Sequence, residues 1–365
     1  MLPAGPILLV AGARPNFMKI APIQAELDRR GLASLLVHTG QHYDDDMSDV
    51  FFGELGIRVP DEHLRVGSGS HGVQTGRVMS ALDPVVERVG PTWVVVVGDV
   101  NSTMAAALVG AKAGVPVAHV EAGLRSGDWS MPEEVNRVVT DRVSDLLLAP
   151  SEDAVATLLA EGRDARTVRL VGNVMVDSLV ANRERAVARA PEQRFGLSAG
   201  AYALLTLHRP SNVDDREGFA RLLEAVAVIA EDLPVLYPAH PRARAALDAA
   251  TLPPNVIVTG PVGYLDSIGL QAGARLVLTD SGGMQEETTV LGVPCLTLRE
   301  TTERPITISE GTNRLVGVDP DAITAAAREV LAHPPPARRP ALWDGRAAER
   351  IVDALVAGPV RPRRP

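Results

Sequence analysis

The sequence predicts an α/β protein with two doubly wound parallel sheets and a ligand cleft between them. Short β-rich apolar runs alternate with helical segments throughout the chain. The runs are continuously apolar, which is typical of parallel strands covered by helices on both faces. The pattern restarts near the middle, and 365 residues suffice for about two domains.

The first half of the chain follows a strand–helix–strand order. The run "PILLVAG" precedes the helical segment "NFMKIAPIQAELDRRG", and "TWVVVVGD" precedes "NSTMAAALVGAKAG". Further strands are predicted at "ASLLVHTG", "VPVAHVEAG" and "DLLLAPS". We assign residues 1–178 to an N-terminal domain of Rossmann-like organisation.

A second unit of the same kind follows a charged stretch broken by Pro191 and Gly196. Its predicted strands include "YALLTLHRP", "PVLYPAH", "NVIVTGP" and "ARLVLTD". We assign residues 179–340 to this second domain. Residues 341–365 are predicted to form a C-terminal helix and tail that pack back on the first domain.

Composition narrows the class of protein. A net charge of -9 argues against a nucleic-acid-binding surface. No apolar run approaches the roughly 18 residues that span a bilayer. The N-terminus has a short apolar run without a basic region before it, so we interpret it as a first strand and expect a cytoplasmic protein.

Cysteine and histidine usage points away from a disulfide or metal site. The single cysteine, Cys295, lies in the apolar run "GVPCLTL", so an internal disulfide is impossible and a buried, inert thiol is expected. No grouping of His and Asp residues has convincing metal-ligand spacing.

Acidic residues follow the predicted strands of the first domain, where ligands of open parallel sheets bind. Asp99 follows "TWVVVV" and Glu121 ends "VPVAHV", a costly place for an acid that is neither paired nor functional. Glu133 and Glu134 open a helix after Pro132, where complementing the helix dipole is an alternative explanation.

Cations and histidines also lie at strand ends. Arg14 and Lys19 follow the first strand near a helix start, where they could hold a phosphate. In the second domain, His208 ends "LLTLH" and His240 ends "VLYPAH". Two histidines at corresponding strand ends favour a functional role more than one alone would. Arg304, in "LRETTERP", follows a later strand.

The stretch "TDSGGMQEETT" combines two unlike features. Ser281, Gly282 and Gly283 form a helix start stripped of side chains, which suits an anion, yet Glu286 and Glu287 follow within one turn. A nucleotide satisfies both features, because its phosphates accept from the amides and its ribose diol donates to a carboxylate. Glu287 is the preferred ribose ligand, with Glu286 as the fallback.

Several long blocks resemble the non-hydrolysing UDP-N-acetylglucosamine 2-epimerases. They include "GARPNFMKIAPI", "GDVNST", "HVEAGLRSGDWSMPEEVNR", "TLHRPSN" and "LTDSGGMQEETTVLGVPCLTLRETTERP", and they run in order from about residue 7 to 317. The resemblance implies a glycosyltransferase B-type fold, UDP held mainly by the second domain, and a homodimer. It implies a UDP-sugar as the partner and neither a metal nor another cofactor.

The resemblance also implies roles for residues at matching positions. The catalytic set comprises the carboxylates Asp99, Glu121 and Glu133 and a histidine near the diphosphate, His208. The substrate-binding set comprises a basic pair near the phosphates, Arg14 and Lys19; a phosphate loop, Ser281, Gly282 and Gly283; a ribose carboxylate, Glu287; and two further residues, His240 and Arg304. Gln41, His42 and His240 match positions that are linked in some members to activation by a second substrate molecule.

The implied reaction is anti elimination of UDP to 2-acetamidoglucal, followed by re-addition. The C2 hydrogen is not adjacent to a carbonyl, so C1–O cleavage must run ahead of proton loss. Carboxylates can stabilise the resulting oxocarbenium-like centre. Two separate carboxylates can serve the two faces of C2 as base and acid.

Other functions share many of these features. A hydrolysing epimerase would release UDP and N-acetylmannosamine. A 2-epimerase of a modified sugar, such as a UDP-diacetamido-uronic acid, would favour an extra cation near C6, which Arg125 or Arg137 could supply. A glycosyltransferase and a non-catalytic nucleotide-sugar binder are further alternatives, but three carboxylates in the first domain are more than either requires.

Overall fold

A computed structural model describes residues 5–40, 56–247 and 252–360 of the chain. The chain divides into two compact units. One consists of Met1–Ser178 with Ala341–Pro365, and the other of Leu179–Pro340. Each contains a parallel sheet with interleaved helices, so the predicted α/β class with two Rossmann-like domains is confirmed.

The first unit contains a seven-stranded parallel sheet in the order β3-β2-β1-β4-β5-β6-β7. Its strands are β1 (Ile7–Ala11), β2 (Ser34–His38), β3 (Glu62–His63), β4 (Trp93–Val97), β5 (Val117–Val120), β6 (Leu146–Ala149) and β7 (Val168–Leu170). Its helices are α1 (Arg14–Arg29), α2 (His71–Val89), α3 (Asn101–Lys112), α4 (Pro132–Val143), α5 (Glu152–Ala160) and α6 (Val174–Ala188). The division between the units falls within α6.

The second unit contains a six-stranded parallel sheet in the order β10-β9-β8-β11-β12-β13. Its strands are β8 (Ala203–Thr206), β9 (Val235–Pro238), β10 (Val256–Thr259), β11 (Leu276–Thr279), β12 (Cys295–Thr297) and β13 (Asn313–Leu315). Its helices are α7 (Pro210–Val213), α8 (Arg216–Asp232), α9 (Arg244–Leu247), α10 (Tyr264–Gly273), α11 (Gly282–Leu291), α12 (Ile306–Ser309) and α13 (Pro320–Ala332).

Both faces of each sheet are buried, which explains why the strand sequences are continuously apolar. All five residues of β4 are buried valines or tryptophan. In β8, Leu205 belongs to a core cluster with Phe219 of α8, whereas the adjacent Leu204 belongs to another cluster with Leu270 of α10. Successive strand side chains point to opposite faces, so each face needs its own apolar cover.

The only cysteine of the sequence lies in the second of these clusters. Cys295 is buried in β12 and forms no disulfide. Burial raises the pKa of its thiol to about 12, so the thiolate is not formed at neutral pH. The predicted inert thiol is confirmed.

The last described helix, α14 (Ala347–Ala357), belongs to the first unit. The Asp177 carboxylate in α6 accepts hydrogen bonds from the amides of Ala347 and Ala348, at 3.1 and 2.7 Å. The indole of Trp343 donates to the Pro150 carbonyl at 3.0 Å. The two bonds to Asp177 satisfy amides at the start of α14, which would otherwise lack acceptors.

We expect Asp177→Ala to lower the free energy of unfolding of the first unit by about 1–3 kcal/mol, because it leaves two buried amides without acceptors. Urea unfolding monitored by circular dichroism measures this change. Asp353→Ala is the matched control, because Asp353 is an exposed residue of the same helix whose pair with Arg30 lies at 2.6 Å. Exposed pairs contribute at most about 1 kcal/mol, so equal losses in the two variants would contradict the capping role.

Candidate active site

Several of the sequence-predicted residues lie where the strand order of each sheet reverses. In the first sheet β1 and β4 are neighbours, and in the second β8 and β11 are neighbours. In the first sheet, Arg14 and Lys19 follow β1 and Asp99 follows β4. In the second sheet, His208 follows β8, and Gly282 and Gly283 follow β11. Ligands of open α/β sheets bind beyond the strand ends at such points.

Asp99 is held by a buried guanidinium. Arg137 in α4 is 2% exposed, and its Nη1 donates to Asp99 Oδ2 at 2.6 Å. Its Nη2 donates to Glu134 Oε2 at 2.8 Å. The guanidinium thus bridges two carboxylates, one buried and one partly exposed. This arrangement fixes the position of the Asp99 carboxylate.

The two adjacent acids at the start of α4 have different environments. Glu134 is buried and accepts hydrogen bonds from the Ser126 and Gly127 amides at 2.9 and 3.0 Å. Burial alone raises its pKa, but these bonds and Arg137 outweigh burial and lower it. Glu133 is only half-buried. Glu134 therefore shapes the loop before α4, while Glu133 keeps solvent access.

Glu121 forms a buried ion pair with Lys19 of α1. The sequence pattern predicts Lys19 near a phosphate, whereas the structure pairs it with a carboxylate. Glu121 has φ of +74°, an uncommon conformation for a residue with a side chain. Backbone strain of this kind persists where the surroundings enforce it, often at functional sites. The ion pair is one such constraint.

In the second unit, Asp280 organises the end of β8. It is buried and accepts from the amides of His208 at 3.0 Å and Arg209 at 2.9 Å, and from Asn212 Nδ2 at 3.1 Å. His208 Nδ1 lies 2.7 Å from Asp280 Oδ1. Burial raises the pKa of Asp280, but these partners outweigh it and lower the pKa. The carboxylate therefore orients the imidazole.

Sequence reasoning missed Asp280, although its signal was present. The residue directly follows the apolar run "ARLVLT", as Asp99 follows "TWVVVV". Its complete burial could not be read from the sequence, because it depends on the neighbouring strand β8 bringing its amides alongside.

Two structural features mark the glycine-rich start of α11. Ser281 is the N-cap residue and its side chain makes no cap hydrogen bond, so the first turn of α11 has no side-chain cap. A Cβ on Gly282 would lie 2.5 Å from Arg304 Nη1 and 2.6 Å from Glu303 Oε1. A side chain at position 282 would therefore displace the neighbouring Arg304–Glu303 ion pair.

The two glutamates of α11 differ in charge balance. Glu286 Oε1 lies 2.7 Å from Arg304 Nε, so its charge is compensated. Glu287 accepts a hydrogen bond from Gln271 Nε2 at 2.6 Å. Burial, reinforced by the nearby charge of Glu286, raises the pKa of Glu287 to about 7 despite that bond.

Arg304 belongs to a compact charge network. Its Nη1 donates to Glu303 Oε1 at 2.5 Å, and Arg299 Nη2 lies 2.9 Å from Glu303 Oε2. Burial raises the pKa of Glu303, but the surrounding guanidiniums outweigh it and hold the pKa far below its usual range. Arg304 is thus fixed beside the start of α11.

The remaining sequence-predicted residues are less defined. His240 is exposed, and its ring centre lies 6.4 Å from that of His208. Burial of part of the ring and the charge of His208 lower its pKa. Gln41, His42 and the side chain of Arg14 lie outside the described part of the chain.

Residues 5–40, 56–247 and 252–360 contain neither a candidate metal site nor a membrane-spanning helix. There, no group of three or more His, Cys, Asp or Glu residues could hold a metal ion. No helix in those ranges is long and apolar enough to cross a membrane.

Comparison with known proteins decides the family. The family model for UDP-N-acetylglucosamine 2-epimerase matches residues 25–356. The chain belongs to this family. It is 40% identical over 361 residues to a UDP-N-acetylglucosamine 2-epimerase of Methanocaldococcus jannaschii, covering 96% of this chain and 98% of that protein. It is 41% identical over 354 residues to a UDP-2,3-diacetamido-2,3-dideoxy-D-glucuronate 2-epimerase of Pseudomonas aeruginosa, covering 96% and 99%.

Solved structures of the family have the same fold. A crystal structure of the M. jannaschii enzyme in complex with UDP-GlcNAc and UDP has a TM-score of 0.90 at 39% identity, with 96% of this chain and 99% of that chain covered. A Neisseria meningitidis UDP-GlcNAc 2-epimerase bound to UDP-GlcNAc has a TM-score of 0.89 at 31% identity, with 96% and 100% covered. The recognised resemblance is thereby confirmed.

The raised pKa of Glu287 makes a prediction about stability. Its folded pKa of about 7 exceeds the ordinary 4.5, so the folded state binds the proton more tightly than the unfolded state does. The contribution of this group is therefore fully present below about pH 4.5 and is lost as the pH rises through about 7. We expect Glu287→Gln to abolish this loss, raising the free energy of unfolding at pH 8 by up to about 3 kcal/mol relative to the unmodified chain.

Urea unfolding of both proteins at pH 5 and pH 8 measures the effect. Glu231→Gln, at an exposed position of α8, serves as the control and should leave the pH dependence unchanged. If the free energies of unfolding of Glu287→Gln and the unmodified chain differ by the same amount at both pH values, Glu287 does not titrate in this range.

Proposed function

We propose that this protein interconverts UDP-N-acetylglucosamine and UDP-N-acetylmannosamine without hydrolysis. The observation that carries the proposal is the pair of constrained acids at the strand ends of the first unit. Asp99 is fixed by Arg137, and Glu121 is fixed by Lys19. A protein that only binds a nucleotide sugar has no need of such acids, whereas an epimerase needs separate groups for the two faces of C2.

The second unit is proposed to hold the UDP moiety. The start of α11 at Ser281, Gly282 and Gly283 offers backbone amides to the diphosphate. Glu287 accepts hydrogen bonds from the ribose hydroxyls. His208, oriented by Asp280, stabilises the charge that develops on the departing diphosphate. Arg304, which is paired with Glu286 and Glu303, lines the substrate site beside this helix start.

The proposed reaction conserves atoms and charge. The C1–O bond breaks with both electrons passing to UDP, and a carboxylate of the first unit removes the C2 proton, which leaves 2-acetamidoglucal. UDP then re-forms the bond to C1, and a second acid delivers a proton to the other face of C2. Asp99, Glu121 and Glu133 are the residues proposed for these transfers. The net change is an isomerisation, which needs no redox cofactor.

The charge pairing supports a sugar without a charge at C6. Arg125 and Arg137 are the two guanidiniums that could have served a uronate substrate. Arg125 Nη2 lies 2.7 Å from Asp141 and 2.8 Å from Glu161, and Arg137 bridges Asp99 and Glu134. Each is thus already balanced by two carboxylates. This supports UDP-N-acetylglucosamine over the glucuronate derivative named for the P. aeruginosa relative.

We further propose that the protein works as a homodimer, as the family resemblance implies. A buried free thiol such as Cys295 is compatible with the reducing cytoplasm.

A hydrolysing outcome, in which water captures C1, is the competing reaction. The proposed elimination requires the glycal to stay bound until UDP returns.

Proton NMR of the protein with UDP-N-acetylglucosamine in D2O tests the proposal. We expect UDP-N-acetylmannosamine to form with deuterium at C2, since the proton removed exchanges with solvent. Free UDP with N-acetylmannosamine would instead identify a hydrolysing enzyme. Exchange only with a UDP-diacetamido-uronic acid would reassign the substrate, and no reaction with either would favour a binding role.

We expect Asp99→Asn, Glu121→Gln and Glu133→Gln each to lower turnover by at least about 100-fold, as removal of an acid–base group does. The same NMR assay measures the rates, and circular dichroism checks folding. Glu87→Gln is the matched control, because Glu87 is an exposed acid of the same unit. Near-normal rates in all three site variants would rule out the proposed proton transfers.

Glu287→Ala is expected to weaken UDP binding by about 10-fold or more, because a buried hydrogen-bonding partner of the ribose is lost. Isothermal titration calorimetry with UDP measures the affinity. The exposed Glu231→Ala variant should bind like the unmodified chain. Unchanged UDP affinity in Glu287→Ala would show that the ribose lies elsewhere.

A further inference from the structure

We propose that His119 and Asp141 form a buried positioning pair that holds the turn carrying Asp99 in its reactive geometry. His119 lies in β5 and Asp141 in α4, and both side chains are buried. His119 is 0% exposed, so it acts through other residues and not on a substrate. The inference rests on the proposed function, because it assigns the pair a role in the same reaction.

Both nitrogens of the His119 ring face acceptors. Nδ1 lies 2.6 Å from Asp141 Oδ1, and Nε2 lies 2.8 Å from the Gly98 carbonyl oxygen. A carbonyl can only accept, so Nε2 carries a hydrogen. Burial raises the pKa of Asp141, but His119 and Arg125 outweigh it and lower the pKa, so the carboxylate is ionised and also accepts. The ring therefore donates from Nε2 to the Gly98 carbonyl, and its Nδ1 contacts the Asp141 carboxylate.

The bond to Gly98 fixes the turn between β4 and α3. Gly98 has φ of +67° and directly precedes Asp99. A Cβ at this position would lie 2.9 Å from Lys19 Nζ and 3.3 Å from Glu121 Oε2. The turn is thus packed against the Lys19–Glu121 ion pair. A rotation of the Gly98 peptide would displace Asp99 and disturb that pair together.

The second oxygen of Asp141 fixes the segment that follows Glu121. Oδ2 accepts from the Gly123 amide at 3.1 Å and lies 2.7 Å from Arg125 Nη2. Asp141 also lies on α4, the helix whose first turn carries Glu133. One carboxylate therefore connects the three segments that carry the proposed acid and base residues.

Positioning and simple core stabilisation differ in their consequences. Displacing a catalytic group by about 1 Å can cost about 100-fold in rate. Loss of a buried polar pair without a positioning role lowers the folded fraction and leaves the rate per folded molecule unchanged. The turnover number of correctly folded variants therefore separates the two.

Two substitutions divide the contacts of His119. In His119→Gln the side-chain amide reaches the position of Nε2 and can still donate to Gly98. In His119→Asn the shorter amide reaches the position of Nδ1, so it can contact Asp141 but not Gly98. We expect His119→Asn to lower kcat for UDP-N-acetylglucosamine by about 10- to 100-fold, with KM little changed. His119→Gln should recover most of the loss.

Asp177→Asn is the matched control, because Asp177 is a buried carboxylate of the same unit that caps α14. It should destabilise the protein without lowering kcat per folded molecule. Wild-type kcat in both His119 variants, or losses that follow the folded fraction as in the control, would overturn the proposal. An inactive unmodified protein would instead count against the proposed function.

Hydrogen–deuterium exchange tests the pair independently of turnover. We expect peptides that contain Gly98 and Asp99 to exchange about 10-fold faster in His119→Asn than in the unmodified protein, and near the normal rate in His119→Gln. Peptides from α14 serve as the internal reference. Unchanged exchange around Gly98 in His119→Asn would overturn the positioning role even if no substrate is turned over.

Discussion

The site depends on one constraint, which is that a charge buried at a strand end must be balanced. Glu121 and Glu134 are buried, and burial of an unpaired charge is costly. Glu121 is balanced by Lys19, and Glu134 and Asp99 share Arg137. Each pairing also fixes the direction of a carboxylate. The same constraint therefore provides stability and fixes the geometry of the proposed catalytic acids.

The two units meet this constraint in opposite ways. In the first unit, buried cations hold acids that are proposed to exchange protons with the sugar. In the second unit, the buried carboxylates of Asp280 and Glu303 hold a histidine and guanidiniums beside an uncapped helix start. The paired acids of the first unit suit proton transfer, whereas the uncapped helix start of the second unit suits a diphosphate. Glu287 differs from Asp280 and Glu303, because burial raises its pKa to about 7.

Overall identity does not select the substrate within this family. The chain is 40% identical to a UDP-N-acetylglucosamine 2-epimerase and 41% identical to an enzyme named for a diacetamido-glucuronate. Local charge balance carries more information, because a uronate needs a cation that the protein has not already neutralised. The pairing of Arg125 and Arg137 with two carboxylates each is such local evidence.

The sequence by itself determined the α/β class, the buried thiol and the family, because these follow from apolar runs, from the surroundings of Cys295 and from long ordered motifs. Only the tertiary structure decided how neighbouring acids differ. Glu133 and Glu134 are adjacent, yet one is half-buried and the other binds Arg137 and loop amides. The pairing of Lys19 with Glu121, and of His119 with Asp141, joins residues distant in sequence. Such contacts depend on strand order, which brings β4 between β1 and β5 and which local patterns do not encode.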